Sequence, residues 1–386
     1  MGSDRLIYIR TDGNSTIAAG HLVRCLSIAQ NCLKTGMSVC FLLSDEESKS
    51  LLESFMTESL KENQQLSVQL LKTAKYNDLE KELPEVIELL SAGHSSYNEI
   101  SSNVYLLDSY FVTKRYLSAL HPVAKIAYLD DLQLFDYPVD LLINYDVIPD
   151  TARPSYEAAY QNAKKVLLGA AYTPLRRQFE NKTVSIKENV SDILVTTGGS
   201  DPYHICMEFI RKFVTVLALP GKKVQNIPTL HIVVGSLNED KENLYALSKE
   251  YPFIRLYENV TDMAALMGTC DLAVSASGTT LYELCSLGIP TVSFTMADNQ
   301  LISAKAFDNT VAIPCAGDIR KDREQVIQKI FDFIRQMSQD TDTLSADPTS
   351  DKRSASYERR LKAHQSLRNP VDGDGAMKIA NELKQL

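Results

Sequence analysis

His21 stands where a side chain could handle a proton. It lies in the stretch Arg10-Thr11-Asp12-Gly13-Asn14-Ser15-Thr16-Ile17-Ala18-Ala19-Gly20-His21-Leu22-Val23-Arg24-Cys25. Before this comes the apolar run Leu6–Ile9, which reads as a buried parallel strand. After it, Leu22, Leu26, Ala29 and Leu33 recur at three-and-four spacing up to Gly36, the pattern of an amphipathic helix. A histidine in the first helical turn sits beside unpaired N–H groups at the positive end of the dipole. That position penalises the imidazolium and leaves a neutral ring able to accept a proton. Arg10 and Arg24 flank it and can meet negative oxygens. Asp12 could orient His21 or hold a hydroxyl, and Gly20 lets a ligand approach the helix start. The loop is a candidate site for an anionic substrate with a base beside it. From spacing alone, a cap-region or surface histidine is an equal reading.

Two further stretches could hold phosphate. Thr196-Thr197-Gly198-Gly199-Ser200-Asp201-Pro202 follows the strand-like Ile193–Val195, and glycines there let an anion reach the backbone at a helix start. Ser275-Ala276-Ser277-Gly278-Thr279-Thr280-Leu281-Tyr282-Glu283 repeats the strand–turn–helix pattern. Backbone and hydroxyl donors from Ser277 and Gly278 through Thr280 could take a diphosphate, and Glu283 could accept from ribose hydroxyls. Glu283 could equally be the capping-box partner of Thr280. Asp298-Asn299-Gln300 opens another helix at a strand end and presents two amides.

These stretches need a scaffold, and the chain offers strand-like runs alternating with helical patterns. In the first part the runs are Ser38–Leu43, Leu66–Leu71, Val104–Leu107, Lys125–Leu129 and Leu141–Ile143. Asp108, Asp130-Asp131 and Asn144 stand just past three of these runs. In a parallel sheet such residues rim one crevice, so Asp108 and Asp131 are candidate substrate ligands. Each taken singly is as well explained as a helix cap or turn former. Polar residues 176–190 read as a linker. A second alternation follows, through Leu230–Val234, Phe253–Leu256, Leu272–Val274, Thr291–Phe294 and Val311–Ile313. The expected domains are thus 1–175 and 191–336, followed by a flexible insertion at 337–370 and a closing helix at 371–386.

Bulk properties narrow the class. The chain has 386 residues, 44% hydrophobic and 23% charged, which suits two soluble globular domains. A net charge of −9 argues against a nucleic-acid partner. Membrane spans, a leader and a myristoylation signal are not expected. Seven cysteines without a CxxC pair fit reduced thiols and a cytoplasmic location. The histidines lack metal-ligand spacing, so neither metal nor other cofactor is expected.

The motifs IRTDGNSTIAAGHLVRCLSIA, LDSY, YLDDL, DLLINYD, LLGAAYTPLRRQF, ILVTTGGSDPYH, SASGTTLYELCSLGIPTVSF and ADNQ occur in this order. Together they resemble the UDP-sugar hydrolases of pseudaminic acid biosynthesis (PseG, SpsG-like) over most of residues 5–336 and 370–386. The resemblance implies a GT-B-like α/β fold, two Rossmann-like doubly wound domains facing each other across a cleft. It implies metal-independent hydrolysis of a UDP-linked 2,4-diacetamido-2,4,6-trideoxy sugar to free sugar and UDP; attack of water opposite the leaving group would invert the anomeric carbon, and a monomer is expected. His21 matches the family's base, Asn299 a residue facing the sugar, and Gly278–Thr280 with Glu283 the UDP site. Gly198 and Gly199 would assist there, and Gln300 would touch the sugar. The segment Ile17-Ala18-Ala19 departs from the family pattern, which leaves the sugar open. A GT-B glycosyltransferase, a UDP-sugar epimerase and a non-catalytic nucleotide-sugar-binding partner are the alternatives.

Overall fold

The computed structural model describes residues 5–14, 16–17, 19–91, 103–217, 227–339 and 354–386. The chain divides into two compact units, Met1–Arg177 with Gly373–Leu386, and Gln178–Asp372. It therefore passes between them twice.

The first unit is built on seven strands: β1 (Leu6–Arg10), β2 (Ser38–Leu43), β3 (Leu66–Leu70), β4 (Val104–Leu107), β5 (Lys125–Leu129), β6 (Leu141–Asn144) and β7 (Lys165–Leu168). Their order is β3-β2-β1-β4-β5-β6-β7, with every pairing parallel. The central strands are apolar on both faces because helices cover both. Ile7, Ile9, Val39 and Leu106 pack into one layer, and Tyr105, Leu107 and Ile126 into the other. The helix Gly20–Lys34 lays Leu22, Cys25, Leu26 and Ala29 on the first layer and ends before Gly36, whose φ of +83° suits glycine.

The helix Gly375–Gln385, from the far end of the sequence, shares this core through Ala376, Ile379, Ala380 and Leu383. Their three-and-four spacing makes a single apolar stripe. It sits so closely that a Cβ at Gly375 would strike the backbone of Thr173.

The second unit has six strands: β8 (Asp192–Thr196), β9 (Thr229–Val233), β10 (Ile254–Tyr257), β11 (Leu272–Ala276), β12 (Thr291–Thr295) and β13 (Cys315–Asp318). The order β10-β9-β8-β11-β12-β13 is again parallel throughout. Both sheets thus reverse their strand order beside the first strand, at β1/β4 and at β8/β11. Ligands of doubly wound sheets collect at the carboxyl ends of such strands.

Two expectations require correction, and one strand is additional to those read from the sequence. Val311–Ile313 is no strand: Val311 ends the helix Asn299–Val311, Ala312 turns it off at φ +61°, and the strand is Cys315–Asp318. The apolar run marked a buried helix end, while the real strand, Cys-Ala-Gly-Asp, carries little apolar signal. Strand β7 was not anticipated, being a short, partly exposed edge. The proposed insertion at 337–370 holds the end of the helix Arg323–Ser338 and all of the helix Ala355–Arg368, while residues 340–353 lie outside those described. The charge-rich sequence of that second helix hid a buried stripe of Tyr357, Arg360 and Leu367. Arg360 donates to the carbonyls of Met337, Lys187 and Glu188, tying the helix to the start of its unit. Among the described residues, no helix is long and apolar enough to cross a membrane.

Candidate functional site

The first unit gathers polar side chains at the carboxyl ends of β1, β4, β5 and β6. Asp108 is the first residue past β4, and its N–H donates to the carbonyl of Arg10 at 3.0 Å, so it sits at the reversal point itself. The helix Gly20–Lys34 starts beside it, with Ala19 offering no side-chain cap. His21 lies in its first turn and is only 4% exposed. Its Nδ1 approaches Asp108 Oδ1 at 2.7 Å. One turn on, Arg24 grips the same carboxylate with a two-point fork, Nε to Oδ2 at 2.6 Å and Nη2 to Oδ1 at 2.5 Å. The remaining arm, Nη1, donates to Asp131 at 2.8 Å and to the hydroxyl of Tyr145. Cys25 Sγ lies 3.4 Å from Asp108 Oδ2.

Electrostatics fix the charge of this cluster. Burial alone would raise the Asp108 carboxyl, but Arg24 foremost and His21 after it overcome that and hold it well below the usual carboxylate range. Asp108 is therefore an anion at any ordinary pH, and an anion beside Nδ1 calls for a proton there. Arg24 Nη2 also lies 3.0 Å from Nδ1. The shorter, charge-assisted contact to the carboxylate decides the tautomer. With Nδ1–H donating to Asp108, the lone pair belongs to Nε2, for which no hydrogen bond is found among the described residues. Tyr110 stands edge-on against the ring, with centroids 4.4 Å apart. A carboxylate–imidazole pair whose Nε2 has no protein partner among the described residues is suited to take a proton from water or an alcohol.

The other sequence candidates in this unit fall elsewhere. Arg10 is 1% exposed and turned to protein acceptors. Its guanidinium forks onto Glu82 at 2.8 Å twice and reaches Asp12 at 2.5 Å, while Tyr116 also donates to Glu82. Asp12 accepts from Ser44 N at 2.7 Å as well, so it anchors the loop and does not orient His21. Asp130 accepts from the hydroxyls of Tyr137 and Tyr160, and is a structural carboxylate. Arg24 is likewise committed to protein acceptors, against the expectation of a substrate cation. Gly20 has open space where a Cβ would stand.

In the second unit, the turn after β8 is held by its carbonyls. Leu237 N donates to Gly199 O at 3.0 Å, and Gly235 packs so tightly on Gly198 and Gly199 that no Cβ fits there. Gly198 needs its φ of +85°, but Gly199 and Gly278 have ordinary φ and nothing within 4 Å of a built Cβ. Neither backbone conformation nor packing demands glycine at those two places. Thr279, at the N-cap of the helix Thr280–Leu287, makes no side-chain cap bond, and Thr280 is partly exposed at its start. Ser277 faces inward instead, its hydroxyl donating to Phe294 O at 3.0 Å. Glu283 is half-buried in the first helical turn. Asn299 is exposed, whereas Gln300 turns back to accept from Met296 N at 2.7 Å. Asp201 caps the helix Ile205–Leu217 through both oxygens.

The comparisons agree with this architecture. Residues 193–358 match the family described as Glycosyltransferase family 28 C-terminal domain. The spore coat polysaccharide biosynthesis protein SpsG of Bacillus subtilis is 26% identical over 229 residues, 59% of this chain and 58% of that protein. The uncharacterized protein MJ1062 of Methanocaldococcus jannaschii is 25% identical over 303 residues, 74% of this chain and 54% of its own. A Helicobacter pylori protein named as pseudaminic acid cytidylyltransferase and UDP-2,4-diacetamido-2,4,6-trideoxy-beta-L-altropyranose hydrolase is 28% identical over 143 residues, 37% of this chain and 24% of that one. The chain thus spans little more than half of the first two relatives. Among solved structures, MurG of Acinetobacter baumannii superposes with a TM-score of 0.63 at 12% identity, over 99% of this chain and 100% of that one. UGT71G1 of Medicago truncatula gives 0.62 at 10% identity, over 98% of each. The fold is that of the GT-B glycosyltransferases.

The sequence did not assign roles to Glu82, Tyr110 or Tyr145. Tyr110 and Tyr145 each follow a strand-end polar residue within two positions, a signal that was present. Glu82 carries none, because its partner lies 72 residues away.

Proposed function

We propose that this protein hydrolyses a UDP-activated deoxy-amino sugar to free sugar and UDP, without a metal and with inversion, in the making of a surface polysaccharide or nonulosonic acid. The single observation behind this reading is the Asp108–His21 pair, whose Nε2 makes no hydrogen bond among the described residues. His21 takes the proton of a water that attacks the anomeric carbon, Asp108 steadies the imidazolium that forms, and the sugar–phosphate bond breaks. Diphosphate charge is assigned to backbone N–H groups at Gly199, Thr279 and Thr280, an electrostatic role that asks little of a general acid; the Gly278 N–H is already given to the carbonyl of Ala276 at 2.9 Å. Glu283 is assigned to ribose and Asn299 to the sugar. Support comes from the hydrolase named in the Helicobacter relative, the polysaccharide role named for SpsG, and the UDP-glucose bound in the UGT71G1 structure. A base beside water is worth about 10²–10⁴ in rate.

The second reading, a UDP-sugar glycosyltransferase, is favoured by the family 28 match and the structural neighbours. It uses the same base on an acceptor alcohol. Incubation with UDP-sugars, with and without EDTA and acceptor alcohols, separates the two. Free sugar and UDP formed without acceptor support the hydrolase, and UDP released only with acceptor supports the transferase.

A further inference from the structure

We infer that Arg24 is the positioning residue of the Asp108–His21 pair: it sets the plane of the carboxylate and thereby the tautomer of the histidine. The inference deepens the proposed function, on which its kinetic arm rests. All three nitrogens of the guanidinium are taken by protein acceptors: Nε and Nη2 by the two oxygens of Asp108, Nη1 by Asp131 and Tyr145. The fifth N–H donor, the second on Nη2, faces His21 Nδ1 at 3.0 Å. Asp108 in turn receives Arg24 twice, His21 once and the Cys25 thiol once, so both oxygens are occupied.

The terminal torsion of an aspartate is broad, and one contact does not fix its plane. A planar fork does, because rotating the carboxylate breaks one of two parallel bonds. The fork turns Oδ1 toward Nδ1 of His21, and Asp131 and Tyr145 hold the fork from behind. Arg24 and His21 are three apart on one helix, so they share a face and the geometry is built into the first turn. An ammonium has no planar fork, so lysine keeps the charge and loses the alignment.

The test uses the full-length protein and the variants Arg24→Lys and Arg24→Gln. Histidine 15N chemical shifts at neutral pH report the His21 tautomer without any substrate, and kinetics with a turned-over UDP-sugar report the rest. In the parent, His21 should carry its proton on Nδ1. Both variants should show mixed tautomers, a kcat at least tenfold lower, and a UDP-sugar Kd within about twofold of the parent. A parent with its proton on Nε2, or variants that keep the parental tautomer, would overturn the inference, whatever reaction the protein catalyses. Weaker substrate binding at unchanged kcat would also overturn it, making Arg24 a substrate ligand. If neither variant folds, the pair Asp131→Asn with Tyr145→Phe loosens only the back of the fork. A mixed tautomer there supports the inference and a parental one refutes it. Absence of turnover on every sugar would count against the proposed function alone, since the NMR arm stands apart.

Discussion

Asp108 Oδ1 lies 2.7 Å from His21 Nδ1, across 87 residues of sequence. The contact exists because β1 and β4 are neighbours in the sheet, although two strands intervene in the chain. It turns a helix-start histidine into an oriented base.

Replacing His21 by alanine should lower kcat/KM by about 10²-fold or more, with UDP affinity nearly unchanged. Steady-state kinetics and UDP titration check both halves. Far-UV circular dichroism should stay parental; a parental rate on the authentic substrate would remove His21 from the mechanism.

Gly199→Ala and Gly278→Ala should fold with parental stability, because a Cβ meets open space at both. Each should nevertheless weaken the thermal protection given by UDP, since a methyl group would stand where the diphosphate approaches. Gly235→Ala, which strikes the carbonyls of Gly198 and Gly199, should instead lower Tm without ligand. Equal UDP protection in all three would displace the nucleotide from these turns.

Glu82→Ala should cost about 3–5 kcal/mol, because it leaves a buried guanidinium with Asp12 as its one remaining carboxylate among the described residues. Arg10 loses its fork and Tyr116 its acceptor. Chemical denaturation measures this. A loss below 1 kcal/mol would mean that Arg10 is free to serve a ligand after all.

Asp146 gives a pH signature of the opposite sign to Asp108. Burial first, and the charge of Asp131 next, push its carboxyl up to about 6. A carboxyl raised in the folded state favours folding while protonated, and that contribution is lost as pH rises from about 4 through 6. Asp146→Asn should therefore be more stable than the parent at pH 7, by on the order of 1–3 kcal/mol, with the difference shrinking toward pH 4. For Asp108, held low, the stabilisation is present above about pH 4 and lost only in stronger acid. Denaturation midpoints across pH 4–8 follow both, and a pH-independent gain in Asp146→Asn would refute the assignment.

The strands were legible because two-faced burial demands apolar runs, and the strand-end acids because those runs stop abruptly. Their partners were not. Asp12, nine residues from His21, is the natural candidate to orient it, yet Arg10 and Ser44 claim Asp12 and Asp108, just past β4, takes its place. Arg10 read as a ligand for anions because its counter-ion, Glu82, comes from a segment with no visible link to the loop. Pairing of this kind is set by strand order, which local patterns do not encode. Where apolar content was slight, as in β13, even the element was displaced by a few residues.

The helix Gly375–Gln385 belongs to the core of the first unit although it is made last of all the described elements. On the ribosome, the second unit is contiguous and can close as soon as it emerges. The first cannot: its sheet must wait, with the seat of Ile379 and Leu383 uncovered, until nearly two hundred further residues have been translated. Synthesis order and completion order are reversed, and the oriented base at Asp108 and His21 is set in a unit whose core is finished after its neighbour's.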